Sequence, residues 1–578
     1  MILSILDWTI IAGYLLLSVV IGIWASKKGS KSTRSYFLAG KNLPWWLLGI
    51  SMVATTFSTD TPNLVTDIVR RNGVAGNWTW WAFLLTGMLS VFVYARLWNR
   101  SGLLTDIEFY ELRYGGKPAA FLRGFRALYL GLIFNSLVMG AVSLAAIKFG
   151  EIVLEIPGWK TLIMACSVTL VYSVLGGLRA VIITDFVQFI IAMIGSIWAT
   201  IYIISLPQIG SIKNLITHPN VIEKIQIFPD FSDPNIWVPL FFVPLAVQWW
   251  ATYYPGSEPG GGGYIAQRIF SAKDEKGAMA ATFLFNFSHY ALRPWPWILI
   301  ALSSLIIFPE ITDIQKAFPT LSTGKLGHDV AYPAMLTLLP SGLLGLVSAS
   351  LIAAFMSTMS TQLNLGASYL VNDFYHRFVK KDATERELVL AGRVFTVLSI
   401  LIGAGLGLSL KSAGQAFNLL LLVGAGTGAI YILRWFWWRI NAMTEIIAMI
   451  SSVIIAGYLN FGNVMMEDWK KIIIGAFLTT IAWVLGTFLT KPEDEKVLKN
   501  FVKVIDPGGP GWKRFSSEKS EKKWNLPFNL FRMFLGVFCV YSLLIGVGHL
   551  IYQNSFGYLF IAFSLVGISI LFIWSDRD

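Results

Sequence analysis

Charge is scarce in this sequence. Of 578 residues, 13% are Asp, Glu, Lys or Arg and 55% are apolar, with a mean hydropathy of +0.63. A soluble globular chain carries about a quarter charged residues, so this composition excludes the soluble classes. Cysteine is scarcer. Cys166 and Cys539 lie far apart, each inside an apolar stretch, which excludes a disulfide framework or thiolate metal site and leaves both as small packing residues. The five histidines are scattered, and no zinc-protease, P-loop or nucleophile-elbow pattern occurs. GGGG at 260–263 lacks the Lys-Ser or Lys-Thr that a phosphate cradle needs. The chain is therefore not read as an enzyme. Nor does its net charge of +12 imply nucleic acid, because basic loops facing one side of a membrane account for it.

Apolar runs of about 20 residues, enough to cross about 30 Å of hydrocarbon as helix, recur along the whole chain. Lipid offers the backbone no partners, and continuous runs rather than ten-residue alternation select helices over a barrel. Fifteen spans are expected, among them 7–26, 46–69, 124–148, 159–178, 181–206, 236–255, 278–308, 333–366 and, last, 553–575. Basic residues fall at every second connection: Lys27 to Arg34, Arg96 to Arg126, Arg179, Arg268 to Lys276, His376 to Arg386, Arg434 to Arg439 and Lys491 to Lys523. The N-terminus is therefore expected outside and the C-terminus in the cytoplasm. The first span has no small-residue cleavage site and reads as a retained helix, not a signal peptide. The chain stops close behind its last span, so no appended signalling domain, and no receptor role, is expected.

Two spans are interrupted. In Ala54 to Pro62, ATTFSTDTP, eight of nine residues are Thr, Ser, Asp, Pro or Ala within an otherwise apolar stretch. Pro255 to Gly263, PGSEPGGGG, ends the span that begins near 236. Glycine and proline at that density cannot continue a helix. The breaks fall in the second and seventh spans, the spacing of two inverted five-helix halves, where transporters place their binding sites. For the second break a plain cytoplasmic loop stands as the alternative. A mid-membrane break leaves carbonyls that a hard cation can satisfy, and Ser357, Thr358, Ser360 and Thr361 after Ala354 form one helical stripe of oxygens that suits such an ion. The same stripe also fits ordinary helix packing. Asp60 and Arg293 are ionisable residues inside apolar spans; contact with a solute and mutual pairing or snorkelling are both open. The charged segment 492–525 reads as a solvated linker or a membrane-surface contact.

Five stretches, SYFLAGKNLPWW (35–46), TDIEFYELRYG (105–115), YSVLGGLRAVIITDFVQF (172–189), YIAQRIFSAK (264–273) and AAFMSTMSTQLN (353–364), together resemble the sodium/solute symporters related to the sodium/glucose, proline and sialic acid symporters. The resemblance runs from the first helix through Asn441. It implies an all-α polytopic membrane protein with a LeuT-like inverted repeat of five plus five helices. One extra helix would form residues 1–35, the transporter core 36–440, and about four extra helices 441–578, with a cytoplasmic loop at 491–526. A main sodium site would take backbone oxygens of Ala54, Phe57 and Ala354 and the hydroxyls of Ser357 and Thr358. A second, found in some members, would take Ser357, Ser360, Thr361 and Asp185, although Asp185 also suits a helix N-terminus.

The implied solute site comprises Thr56, Ser58 and Thr61 on the broken helix, Thr79 and Trp80 on the third span and Asn135 on the fourth. Gln248 of the seventh span and Tyr290 of the eighth complete it. Glucose-type members place an acidic residue where Trp80 stands, a lysine at Tyr290 and a glutamine at Leu421, and none is retained here. The resemblance implies sodium-coupled symport of a small polar organic solute, with a sugar-like one favoured, across a bacterial inner (cell) membrane. Proton coupling, or an organic anion, amino acid or nucleoside as cargo, are the alternatives. The implied partners are the solute, sodium and the lipid bilayer; no oligomer is implied.

Overall fold

The computed structural model describes residues 3–29, 38–41, 43–319, 321–424, 426–462, 465–515 and 524–575. The basic stretch beyond Gly29, the start of SYFLAGKNLPWW (35–37) with position 42, and 516–523 of the charged loop lie outside the described residues. Among the described residues, ten helices are long and apolar enough to cross a membrane. Helix α1 (Ile5–Gly29) precedes a broken pair, α2 (Trp45–Thr56) and α3 (Asp60–Asn72). There follow α4 (Val74–Ser101), α5 (Gly116–Leu154) and α6 (Gly158–Ile204). The second broken span ends in α7 (Gly263–Ser271), followed by α8 (Glu275–Ile307), α9 (Leu343–Val379), α10 (Glu385–Ser409) and α11 (Ala413–Gly424). The periphery comprises α12 (Ala442–Phe461), α13 (Asp468–Leu489), α14 (Glu495–Ile505), α15 (Leu526–Ile551) and α16 (Phe556–Ser575).

Spans expected at 159–178 and 181–206 form one continuous helical run, α6, whose 47 residues give about 70 Å, the length of two crossings. Asp185 consequently lies inside a helix and not at its N-terminus.

Small residues let the interior helices approach closely. Helix α9 (LLGLVSASLIAAFMSTMSTQLNLGAS over its first 26 residues) packs against α6, α5 and α10 and is buried along nearly its whole length. The peripheral helices instead expose large apolar side chains, among them Val453, Phe488, Leu565 and Phe572, which is the pattern of a surface solvated by lipid. The loop 492–525 is not a solvated linker over its described part. Leu498, Phe501, Val502 and Ile505 of α14 share one buried helical face, and Trp512 is fully buried beneath the Arg113 guanidinium.

Wider turns, with hydrogen bonds reaching back five residues, interrupt α4, α5, α8 and α9. In α8 one such turn, Ser288–Leu292, precedes Pro294 and Pro296, and Arg293 N–H donates to Ser288 O at 3.2 Å. It aims His289, Tyr290 and Arg293 into the centre of the bundle, where they line one cavity.

Candidate functional site

Phe57 leaves the helical conformation (φ −93°, ψ 105°) and its N–H reaches back to Val53 O at 3.0 Å and Ala54 O at 3.2 Å, ending α2. The chain re-enters helix at Asp60, whose carboxylate sits in the first turn of α3 and is favoured by the exposed amides there. Helix α9 lies across this break. Thr358 Oγ1 donates to Thr55 O at 2.8 Å, and Thr55 and Thr361 hydroxyls are 3.2 Å apart. The stripe of hydroxyls on α9 thus faces the unwound carbonyl end of α2, bringing Ala354, Ser357 and Thr358 to the same junction as Ala54 and Phe57, all five buried.

Behind that junction is a polar cluster closed from water. Asp185 Oδ1 accepts from Ser357 Oγ at 2.6 Å and Oδ2 from Ser51 Oγ at 2.5 Å. Arg268 of α7, fully buried, donates through Nη2 to Thr361 Oγ1 at 2.9 Å and to Thr55 Oγ1 at 3.3 Å, and the same nitrogen lies 3.8 Å from Asp185 Oδ2. Ser360 Oγ donates to Ser357 O at 3.0 Å. Thr361 and Asp185 of the implied second sodium set therefore meet a guanidinium, and Ser357 bonds to that same Asp185. The count of cytoplasmic loop charges is corrected here: Arg268 is a core residue of a broken span. Its sequence signal was position, one turn past the glycine run and ahead of the charged Lys273 to Lys276 cluster.

A cavity opens beside the break. Thr55, Thr56, Ser58, Asp60, Thr61 and Thr358 form one wall, Trp80, Phe83, Tyr254, Ser257, His289, Tyr290, Arg293 and Gln362 face it, and apolar side chains including Leu64, Val65, Val138, Val142 and Leu420 line the rest. Trp80 and Tyr290 stack at 5.8 Å and 26°, and Phe83 and Tyr254 at 5.0 Å and 10°. Of the implied solute residues, Thr56, Ser58, Thr61, Trp80 and Tyr290 are in the wall. Thr79, Asn135 and Gln248 are not: Gln248 Nε2 donates to Thr79 O at 2.7 Å and Asn135 Nδ2 to Gln362 O at 2.7 Å, which makes them braces behind it. Tyr254, His289 and Gln362 carried no distinguishing sequence signal, since an aromatic, a histidine or an amide in a span is more often packing.

The second break is interior, not a cytoplasmic loop. Residues 256–272 are buried, and Pro255 and Ser257 line the cavity. Its backbone needs glycine. Gly256 (φ 81°) meets the first break, since a Cβ there would overlap the Tyr264 hydroxyl and lie 3.0 Å from Thr56 Cγ2. Gly260 (φ 79°) would drive a Cβ into Tyr431 O, while its own carbonyl accepts from Trp98 Nε1 at 2.9 Å. Orphan backbone groups are met within the protein: Ala251 O accepts from Gly426 N–H at 2.9 Å, and Gly263 N–H donates to Asp106 Oδ2 at 2.9 Å.

Residues 36–452 match the model of the sodium:solute symporter family. A sodium/glucose cotransporter of Vibrio parahaemolyticus is 28% identical over 517 residues, 85% of this chain and 92% of its own. A sodium/mannose cotransporter of Bos taurus is 26% identical over 476 residues, 76% of each chain. A sodium/myo-inositol cotransporter of Mus musculus is 27% identical over 483 residues, 75% of this chain and 64% of its own. The solved substrate-bound, outward-open structure of a Na+-coupled sialic acid symporter superposes with a TM-score of 0.67, covering 85% of this chain and 99% of that one at 18% identity, a likeness of fold.

Proposed function

From the premise that the chain belongs to the sodium:solute symporter family, whose members are membrane transporters and not enzymes, we propose that it imports a small, sugar-like polar solute together with one sodium ion. The setting is a bacterial cell membrane, with the N-terminus outside, the C-terminus in the cytoplasm and residues 36–440 as the moving core. The relatives named for glucose, mannose and myo-inositol favour a polyhydroxylated cargo. So does a wall that pairs aromatic faces with hydroxyl, amide and carboxylate groups.

One observation carries the reading: Thr358 of α9 meets Thr55 O at the broken end of α2, on the edge of the cavity. A sodium ion held by the oxygens of Ala54, Phe57, Ala354, Ser357 and Thr358 would join α9 to the break. The break in turn presents Thr56, Ser58 and Thr61 to the solute. Ion binding then fixes the wall the solute needs, and by reciprocity the solute tightens the ion. A single ion is favoured because Arg268 already neutralises Asp185 where a second would sit. Two cations on one buried carboxylate would repel strongly in that setting.

Uptake of a labelled sugar panel into proteoliposomes, with sodium or potassium at fixed pH, tests this. Accumulation dependent on sodium with a Hill coefficient of one is expected. Undiminished uptake without sodium, driven by a proton gradient, would sink the proposal.

A further inference from the structure

Arg293 is placed by the wide turn Ser288–Leu292 at the cavity and is only 1% exposed. Its guanidinium lies 5.1 Å from the Trp297 ring and 6.0 Å from the Phe57 ring, two rings that are themselves stacked. One nitrogen, Nη1, donates to Val53 O at 3.2 Å. The other edge, Nε and Nη2, has no hydrogen-bond acceptor. Those two N–H groups point the same way and form the fork that fits both oxygens of a carboxylate. Asp60 lines the same cavity and opposes the Arg293 charge through space, but no hydrogen bond or contact ion pair joins the two among the described residues. Asp60 has another source of compensation, the amides of the first turn of α3. Asp60 is thus a counter-charge at a distance only, and the Nε and Nη2 edge of Arg293 is left without an anion in direct contact, which is costly for a buried guanidinium in a membrane core.

We propose that the solute is a hydroxylated carboxylic acid, a sugar acid whose carboxylate docks on the Nε and Nη2 edge of Arg293. Its hydroxyls donate to Asp60 and bond to Ser58 and Thr61, and its ring lies against Trp80 and Tyr290. Asp60 disfavours a dianion such as a sugar phosphate, because a second full negative charge would face a carboxylate in the same small space. The proposal rests on the symporter reading above and sharpens it. It also fixes a charge balance: one sodium ion and one monoanion cross together, so the loaded step carries no net charge. A neutral sugar crossing with one sodium would carry one positive charge and respond to membrane potential.

The test uses the full-length purified protein and its proteoliposomes. Thermal stabilisation is measured with D-glucuronate, D-galacturonate and D-gluconate, with glucose and myo-inositol, and with neutral amino acids, each in sodium and in potassium. The acids are expected to stabilise in sodium only, and their uptake to be unchanged by a potassium diffusion potential. Arg293→Gln is expected to lower apparent affinity for the acid by at least about tenfold, the loss of a charge-assisted pair, while the stabilisation by sodium alone persists. Arg293→Lys keeps the charge but not the fork and is expected to fall between; it serves as the folded comparison if Arg293→Gln is not recovered. Stabilisation by neutral sugars or amino acids and not by the acids would overturn the sugar-acid assignment and leave sodium symport standing. No response to sodium, with or without any solute, would overturn both.

Discussion

At Thr358 the hydroxyl donates to Thr55 O at 2.8 Å, so this oxygen, together with the Thr55–Thr361 hydroxyl contact, links the stripe on α9 to the last turn of α2. Replacing it with alanine removes a proposed sodium ligand and leaves a buried carbonyl short of a partner, a loss of about 1–3 kcal/mol. Thr358→Ala is therefore expected to weaken apparent sodium affinity roughly tenfold, read from the sodium dependence of thermal stability. Thr358→Ser, which keeps the oxygen, should stay near the parent. Arg268 and Asp185 pose the opposite case, two buried charges that satisfy each other. Arg268→Ala leaves the Asp185 carboxylate uncompensated, which for a buried pair costs about 3–5 kcal/mol. It also opens a place for a second cation among Ser357, Thr361 and Asp185. The expected result is a marked fall in melting temperature that sodium partly reverses, with a Hill coefficient above one. The double variant Asp185→Asn, Arg268→Gln should recover stability and return to a coefficient of one. A coefficient unchanged in Arg268→Ala would contradict the single-ion account.

The two breaks are the elements on which the site hangs, and they were legible to different degrees. ATTFSTDTP announced itself because polar residues replace apolar ones in the middle of a span, and the structure unwinds the chain there at Phe57. PGSEPGGGG announced a break but not its depth, because glycine and proline read the same in a cytoplasmic loop as in a buried crossing. Tertiary partners such as Tyr431 O and the Tyr264 hydroxyl, distant in sequence, are what hold it inside. Arg268 was hidden for the same reason: a basic residue close to a charged loop looks like part of that loop until the hydroxyls it meets on other helices are known. The braces Gln248 and Asn135 carry polar side chains turned toward backbone carbonyls, a direction that helical spacing alone does not give. The glycine argument can be tested directly. Gly260→Ala combines a left-handed backbone with overlap on Tyr431 O, so a loss of several kcal/mol is expected, seen as poor yield or a lowered melting temperature, together with lost uptake. Gly405→Ala in α10, where a Cβ would meet nothing within 4 Å, should be neutral or stabilising by up to about 1 kcal/mol.

Across the whole molecule, charged contacts tie α3 to its neighbours at the end that carries segment 309–332, the end that would have to part if the proposed transport works by alternating access. Lys148 of α5 meets Asp329 at 2.6 Å, fully buried, and the same Asp329 Oδ2 accepts from Ala413 N–H at the start of α11 at 3.0 Å. Arg70 of α3 donates to Ser304 Oγ at 2.9 Å, to Phe308 O at 2.8 Å and, through Nε, to His328 Nδ1 at 3.3 Å. That last bond needs His328 neutral, because a protonated Nδ1 cannot accept. Burial, with Arg70, Arg71 and Lys224 nearby and only Asp329 opposing them, pushes the His328 imidazole down to about 4. The folded value lies below the ordinary one near 6.5, so the unfolded chain binds the extra proton first. The contribution is thus fully present above about pH 6.5 and is lost progressively as the pH falls toward 4. His328 is only partly buried, so solvent screening makes the effect modest, and carboxylates elsewhere titrate over part of the same range. The readout is accordingly a difference. Parent protein and His328→Asn are compared by melting temperature between pH 7 and 4, and the variant is expected to fall less steeply with acid. Parallel curves would mean that the stability of this end does not depend on the His328–Arg70 contact.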